Sequence, residues 1–201
     1  RQMCIRDRLI AGEIGEVQSI YVEWALSTKL NKSMRHNWKD CREHGGGVLQ
    51  NYGVHVLDYL FHSSKEVQVI EASQEVLHKT LPDKDDIEHR VSADEATTIL
   101  LRTDECPSII VRLSLVSFPP TGHRIIARGN LGTLEASNSH PSTPWGPFSL
   151  IKYNNDSTSV ALNSKDSSKN LQSLTSLFEG ITDRFIDAII HNKQPKPSIY
   201  D

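Results

Sequence analysis

The sequence predicts an α+β domain, in which helices pack on one face of a large, predominantly antiparallel sheet, and three observations predict it. One alternating strand is followed by a single long apolar helix and then by a series of short β-rich segments separated by Pro, Gly, Asp, Asn and Ser. Connections that short join antiparallel neighbours. There is no β-α-β alternation of the kind that builds a parallel sheet, so helices on one side of the sheet are the economical layering. At 201 residues the chain is long enough for one sizeable core.

The first strand is EVQSIYVEWALSTK, residues 16 to 29, with Val17, Ser19, Tyr21, Glu23 and Ala25 on one side and Ile20, Val22, Trp24 and Leu26 on the other. A polar loop, LNKSMRHNWKDCREH, leads to Gly45, Gly46 and Gly47. The run from 48 to 63 is too long for a typical strand and reads as a helix. The later strands are EVQVIEASQEVLH, EATTILLRT, SIIVRLSLVSF, HRIIARG, GTLEASN, FSLIKYN and TSVALNS. A second helix over roughly 170 to 192 follows from Leu171, Leu174, Leu177, Phe178, Ile181, Phe185, Ile186 and Ile189 at steps of three and four. HPSTPWGP and the Ser/Asn/Asp-rich 154 to 169 are loops or hairpin tips.

Composition excludes several classes of function. A formal charge of -3 with 22 Lys+Arg spread along the chain provides no basic stripe for nucleic acid. No apolar run approaches a bilayer span, and no signal pattern opens the chain, so a cytoplasmic protein without a membrane partner is expected. Cys4, Cys41 and Cys106 are far apart and form no C-x-x-C pair, which fits a reducing compartment. The opening RQMCIRDR resembles translated sequencing adapter, so residues 1–8 are expected to be a non-native leader and 9–201 one domain cut at both ends.

The chemistry concentrates on the first helix. Asn51, His55, Asp58 and His62 are spaced by four, three and four, one side of an otherwise apolar helix. A polar stripe there suggests a cleft, where an imidazole moves a proton near neutral pH. The plainer alternative is a hydrogen-bonded core histidine with Asp58 orienting it, and His62 simply suiting the helix C-terminus. Gly53 in mid-helix implies a close approach to the backbone, and Gly46 and Gly47 a tight start open to a ligand. A metal-hydrolase reading would use His36, Cys41 and His44, with His55 as an optional fourth ligand, but H-x4-C-x2-H matches no established ligand spacing, and no metal is expected.

Gly46-Gly47-Val48-Leu49-Gln50-Asn51-Tyr52-Gly53-Val54-His55-Val56-Leu57-Asp58 resembles the G-G-x-L-x-D-x-G-x-H-x-x-D segment of the Gfo/Idh/MocA oxidoreductases, the glucose-fructose oxidoreductase and inositol dehydrogenase family. Gly12 to Val17, Asn37-Trp38-Lys39, Arg128 to Leu134, Phe185 to Ile189 and Pro195 to Asp201 resemble further pieces of its C-terminal domain, in order. The resemblance implies a large open sheet that supplies substrate contacts and often the subunit interface, hence a homo-oligomer. It implies hydride transfer between NAD or NADP and a hydroxyl carbon of a sugar, inositol or related polyol. His55 would be the catalytic acid/base. Asn51, Trp38, Lys39 and Arg42 would contact substrate, with Asp58, Gly46, Gly47 and Gly53 in support.

Three departures qualify what is implied. Asn51 stands where the family commonly has Asp, and an amide neither accepts a proton as a carboxylate does nor lends charge to His55. Lys39 stands where Arg is expected, a point charge for a planar fork. The G-x-G-x-x-G turn of a dinucleotide domain is missing, and RGNLGTL, lying between strands, does not replace it. The cofactor is therefore expected on a further N-terminal domain, and the fragment alone is expected to be inactive. A reading from another class is a non-catalytic binding or dimerisation module that uses the sheet as its interface.

Overall fold

A computed structural model describes residues 5–30, 34–61, 66–138, 148–154, 158–161, 182 and 185–193. The chain forms two compact units, Arg1–Ser164 and Lys165–Asp201. In the first, a short helix α1 (Ile5–Ile10) precedes strand β1 (Val17–Ala25), and α2 (Val54–Phe61) follows the long loop. Then come β2 (Val67–Glu75), β3 (Thr80–Pro82), β4 (Glu88–Arg90), β5 (Ala96–Thr103), β6 (Ile109–Ser114), β7 (Gly122–Gly129), β8 (Gly132–Asn138), β9 (Ser149–Asn154) and β10 (Ser159–Ala161).

Among the described residues eight strands form one open sheet in the order β10-β9-β8-β7-β1-β6-β5-β2. Every neighbouring pair is antiparallel except β1 with β6. The exception follows from the connection. The chain leaves β1 through the loop and α2, enters again at the β2 edge, and returns to β1 by two antiparallel steps through β5 and β6. The predicted α+β architecture, a large open and mainly antiparallel sheet with helices on one face, is the one observed.

Alternation decides which face holds the helices. Val22 and Trp24 of β1 face the same side as Ile109, Val111 and Leu113 of β6 and Ile99 and Leu101 of β5, and all of them are buried. Val48 and Val56 join that core, with Leu49, Tyr52, Tyr59 and Leu60 packed against it, so α2 lies on this face. Ile5 and Leu9 of α1 pack on the neighbouring cluster of Ile14, Ala127 and Leu134. That short helix takes in residues from the segment expected to be a leader. Val17 is the exception to simple alternation: a register shift between Val17 and Ser19 turns it from the odd-numbered side, where the sequence places it, to pack with Ile20.

Among the described residues the other face carries rows rather than a core. Arg112, Glu23 and Arg124 are cross-strand neighbours of alternating sign. Beside them runs an apolar row of Leu100, Ile110, Tyr21 and Ile126.

A small hairpin pairs β3 with β4, in a stretch with no strand predicted. Its turn is organised by one side chain: the Asp83 carboxylate accepts from the Asp85 and Ile87 amides at 2.9 and 3.0 Å and pairs with His89 Nε2 at 2.8 Å. These partners, the Ile87 amide foremost, hold the Asp83 carboxyl below the usual carboxylate range. In the second unit residues 185–190 are helical, within the predicted second helix. His191 and Asn192 form a turn after it, and the rest of the predicted helix apart from Thr182, the HPSTPWGP loop and His62 lie outside the described residues.

Candidate functional site

The loop before α2 is built by capping. Asn37 Oδ1 accepts from the Lys39 amide at 3.1 Å while Asp40 Oδ2 accepts from the Asn37 amide at 2.8 Å, a capping box around the tight turn Trp38–Asp40. A second turn, Arg42–His44, ends at Gly45 with φ of 79°. The Gly46 amide donates to Cys41 O at 2.9 Å and the Gly47 amide to Lys39 O at 3.1 Å. The loop therefore folds back on the helix start, and Trp38 and Lys39 sit beside it.

The three glycines singled out by the sequence have visible neighbours. A Cβ on Gly46 would run into Lys39 O. Gly47, at φ of 113°, would drive a Cβ into Asp94 Oδ1. A Cβ on Gly53 would meet Leu49 Cδ1 at 2.6 Å and Leu113 Cδ1 at 3.2 Å. The close approach at Gly53 is thus first to Leu49 of the same helix and then to Leu113 of β6, on which the helix rests. Gly47→Ala is expected to cost about 2 kcal/mol or more, because positive φ and displacement of Asp94 add together. Urea unfolding of the two forms checks this, and a loss below about 0.5 kcal/mol would show that the loop relaxes freely.

Asp94 caps the helix from another element. Its carbonyl accepts from the Val48 amide at 2.8 Å, and its Oδ2 accepts from the Leu49 amide at 3.0 Å and from Thr97 Oγ1 at 2.7 Å. The helix then opens into a π-helical turn over Leu49–Gly53 before becoming α-helical at Val54. A uniform helix over 48 to 63 was expected, and the wide turn is a departure of the kind that often marks functional helices. Within it Asn51 Nδ2 donates to Gly47 O at 2.7 Å. A carboxylate at position 51 is unable to make that bond, so Asn in place of Asp changes the local structure as well as the charge.

His55 and Asp58 are exposed on the outer side of α2, and Asn51 is half-buried. Trp38 is 52% exposed, with Lys39 Nζ 5.6 Å from its ring centroid. Arg42 is turned elsewhere: its guanidinium donates to Gln74 Oε1 at 2.7 Å and its amide to Ser92 Oγ at 3.0 Å.

Two clusters were not anticipated. Lys29, Asp40 and Glu95 form a buried charged group at the back of the loop. The adjacent acids Asp94 and Glu95, immediately ahead of a β-branched run, were the available signal. The second cluster is aromatic. His123 of β7 stacks on Trp24 with centroids 4.3 Å apart, meets Phe148 edge-on at 5.2 Å, and shares a 3.1 Å hydrogen bond between its Nε2 and Tyr59 OH. Burial pushes the His123 imidazole down to about 4. Burial likewise raises the Tyr52 phenol and the Cys106 thiol.

Among the described residues no group of three or more His, Cys, Asp or Glu side chains is placed to hold a metal. His36, a member of the ligand set considered above, stacks on His89 with centroids 5.0 Å apart. RGNLGTL forms the β7–β8 hairpin, where a Cβ on Gly132 would meet Tyr153 O at 2.6 Å. These glycines serve strand packing, and no helix starts there, so this turn does not fit a dinucleotide pyrophosphate. No helix of the described residues is long and apolar enough to cross a membrane.

A family model described as the GFO/IDH/MocA C-terminal domain matches residues 3–147. An uncharacterized oxidoreductase of Synechocystis is 26% identical over 132 residues, which is 65% of this chain and 36% of that protein. Among solved structures, levoglucosan dehydrogenase in its apo form superposes with a TM-score of 0.78 at 13% identity, over 96% of this chain and 55% of that one. An oxidoreductase domain protein from Kribbella flavida gives a TM-score of 0.73 at 16% identity, over 96% of this chain and 54% of that one. At such identities the structural likenesses establish the fold. The chain spans about half, or less, of the length of these relatives.

Proposed function

The chain belongs to the GFO/IDH/MocA C-terminal domain family, and from that membership we propose that it is the substrate domain of a cytoplasmic NAD(P)-dependent oxidoreductase acting on a sugar, inositol or related polyol. One observation carries the reading: a helix fixed to the sheet along one side holds an exposed imidazole, His55, on the other. That placement suits contact with a ligand held by a further domain. Levoglucosan dehydrogenase, a neighbour in fold, is described in complex with NADH and L-sorbose or levoglucosan, and an Azotobacter vinelandii inositol dehydrogenase homologue with NAD+. Those names support the polyol class and the nicotinamide.

In this reading the nicotinamide, bound mainly by a further domain, supplies the hydride acceptor. His55 takes the hydroxyl proton as the carbon–oxygen bond becomes a carbonyl, and returns it in the reverse direction. Asn51, its Nδ2 anchored on Gly47 O, has Oδ1 to accept from a substrate hydroxyl. The exposed Trp38 ring offers an apolar plate to the C–H face of a sugar, and Lys39 a donor beside it. Arg42 is the weakest of the proposed contacts, since it already donates to Gln74. The isolated domain is inactive, and the sheet face bearing Arg112, Glu23 and Arg124 pairs subunits in a homo-oligomer.

The test is dinucleotide-dependent oxidation of a panel of sugars, inositols and anhydrosugars by the longer protein that contains this domain, alongside the domain alone. Turnover by the longer protein only is expected. Absence of turnover together with sheet-mediated dimers of the domain would replace this reading with the non-catalytic module.

A further inference from the structure

We infer that Lys29, Asp40 and Glu95 are positioning residues for substrate affinity: a buried charge triad sets the Trp38–Lys39 turn against the helix that carries Asn51 and His55. The inference rests on the functional reading above and extends it to three residues remote from any substrate contact.

The three come from separate stretches of the chain. Lys29 follows β1, Asp40 closes the loop turn, and Glu95 leads into β5. Lys29 is 7% exposed, and Asp40 and Glu95 are fully buried. Lys29 Nζ is paired with Asp40 Oδ1 and lies 3.8 Å from Glu95 Oε1. Each carboxylate is otherwise satisfied in a way that ties down backbone. Asp40 Oδ2 accepts from the Asn37 amide, and the Asp40 carbonyl accepts from the Ser92 and Ala93 amides at 3.0 and 3.1 Å. Glu95 Oε2 accepts from the Leu77 and His78 amides at 2.8 and 2.7 Å, and its Oε1 meets His78 Nδ1 at 2.8 Å.

The neighbour of Glu95 completes the device. Asp94 holds the Val48 and Leu49 amides, so consecutive acids fix both halves of the site: Asp94 the helix, and Glu95 through Lys29 the loop. With two carboxylates and one ammonium, removal of Lys29 leaves two acids facing each other in a buried space. Relief comes by moving the loop outward, which carries Trp38 and Lys39 away from the helix start. The loop also holds the Gly46 and Gly47 amides, but His55 lies beyond them on the part of the helix that the core grips and that follows the turn capped by Asp94, so chemistry there is expected to change little.

The experiment uses the longer protein, with Lys29→Met, the charge-compensated Lys29→Met/Asp40→Asn, and Leu134→Ala as a core truncation in the other cluster. The carboxamide that Asp40→Asn introduces keeps an acceptor for the Asn37 amide. For Lys29→Met, KM for the polyol is expected to rise about tenfold with kcat within about threefold, as loss of positioning that acts on binding requires. The double variant is expected to recover most of the loss, and Leu134→Ala to leave KM alone. Hydrogen exchange is expected to quicken across 37–49 in Lys29→Met, with β7 and β8 unaffected, and to slow again in the double variant. An unchanged KM in Lys29→Met, or an equal rise in Leu134→Ala, overturns the inference. Should wild type turn over no polyol, the functional reading fails by itself, and the exchange pattern alone decides whether the triad positions the loop.

Discussion

Replacing His55 with alanine in the longer protein is expected to lower kcat by ~10² or more with dinucleotide affinity retained, the usual scale for loss of a general acid/base. The imidazole stands on the exposed side of α2, while Val56, the next residue, is fully buried in the core beneath it. Truncation at 55 therefore removes a proton acceptor without opening a cavity, and the thermal midpoint is expected to move by little. That separation makes the variant informative. Steady-state kinetics should show kcat and kcat/KM falling together, because the interaction lost belongs to the transition state. Equal kcat for both proteins would remove His55 from the chemistry and leave the exposed helix face as a docking surface only.

Much of this was legible in the sequence, for physical reasons that differ by element. Alternation in β1 puts Val22 and Trp24 on one side together, and the structure buries that side, because a sheet with one packed face imposes period two. Residue Val17 escaped, since a bulge one residue wide reverses the side and leaves no mark in composition. The sequence points to a close approach at Gly53 and to an open helix start at Gly46 and Gly47, whereas Lys39 O and Asp94 crowd that start, and the sequence is silent on these partners. At Gly53 the neighbour is first Leu49, one turn back on the same helix, and then Leu113, far along the chain, a contact that only the seating of the helix on β6 creates.

Other features depended on tertiary partners altogether. The π-helical turn is set by Gly47, Asp94 and Asn51 acting together, and no periodicity in 48 to 63 announces it. Lys29, Asp40 and Glu95 read as ordinary surface charges in a linear scan, because charge pairs are normally solvated and these are separated by long intervals. His123 likewise sits in a plain HRIIARG strand. Its environment is supplied by Trp24, Tyr59 and Phe148, from three other stretches of the chain.

That histidine leads to a second large effect, on stability rather than turnover. Unfolding free energy is expected to fall by about 3 kcal/mol on going from pH 7 to pH 4 on account of His123 alone, from a displacement of 6.5 to about 4 at about 1.4 kcal/mol per pH unit. The sign follows from which state binds the proton. Below pH 6.5 the unfolded chain takes up a proton at this residue and the folded chain does not, so acid favours unfolding until about pH 4, where the folded form protonates too. The contribution is thus complete above the ordinary value of 6.5 and lost progressively as pH falls from there to about 4. Asp83, whose carboxyl is held low, acts only below its ordinary value of 3.8, so its window is separate.

His123→Phe keeps an aromatic ring against Trp24 and Phe148 but forfeits the Tyr59 bond, a cost of about 1 kcal/mol at every pH. Its stability should therefore start lower at pH 7 and decline less steeply, with the two curves crossing between pH 6 and pH 4, a window set by the about 4 of the folded imidazole. Urea unfolding at half-unit steps of pH resolves this. Parallel curves would mean that His123 is not the group responsible. Because Tyr59 lies one helical turn beyond His55, the bond removed in His123→Phe is also one that ties β7 to the helix that carries the proposed catalytic imidazole.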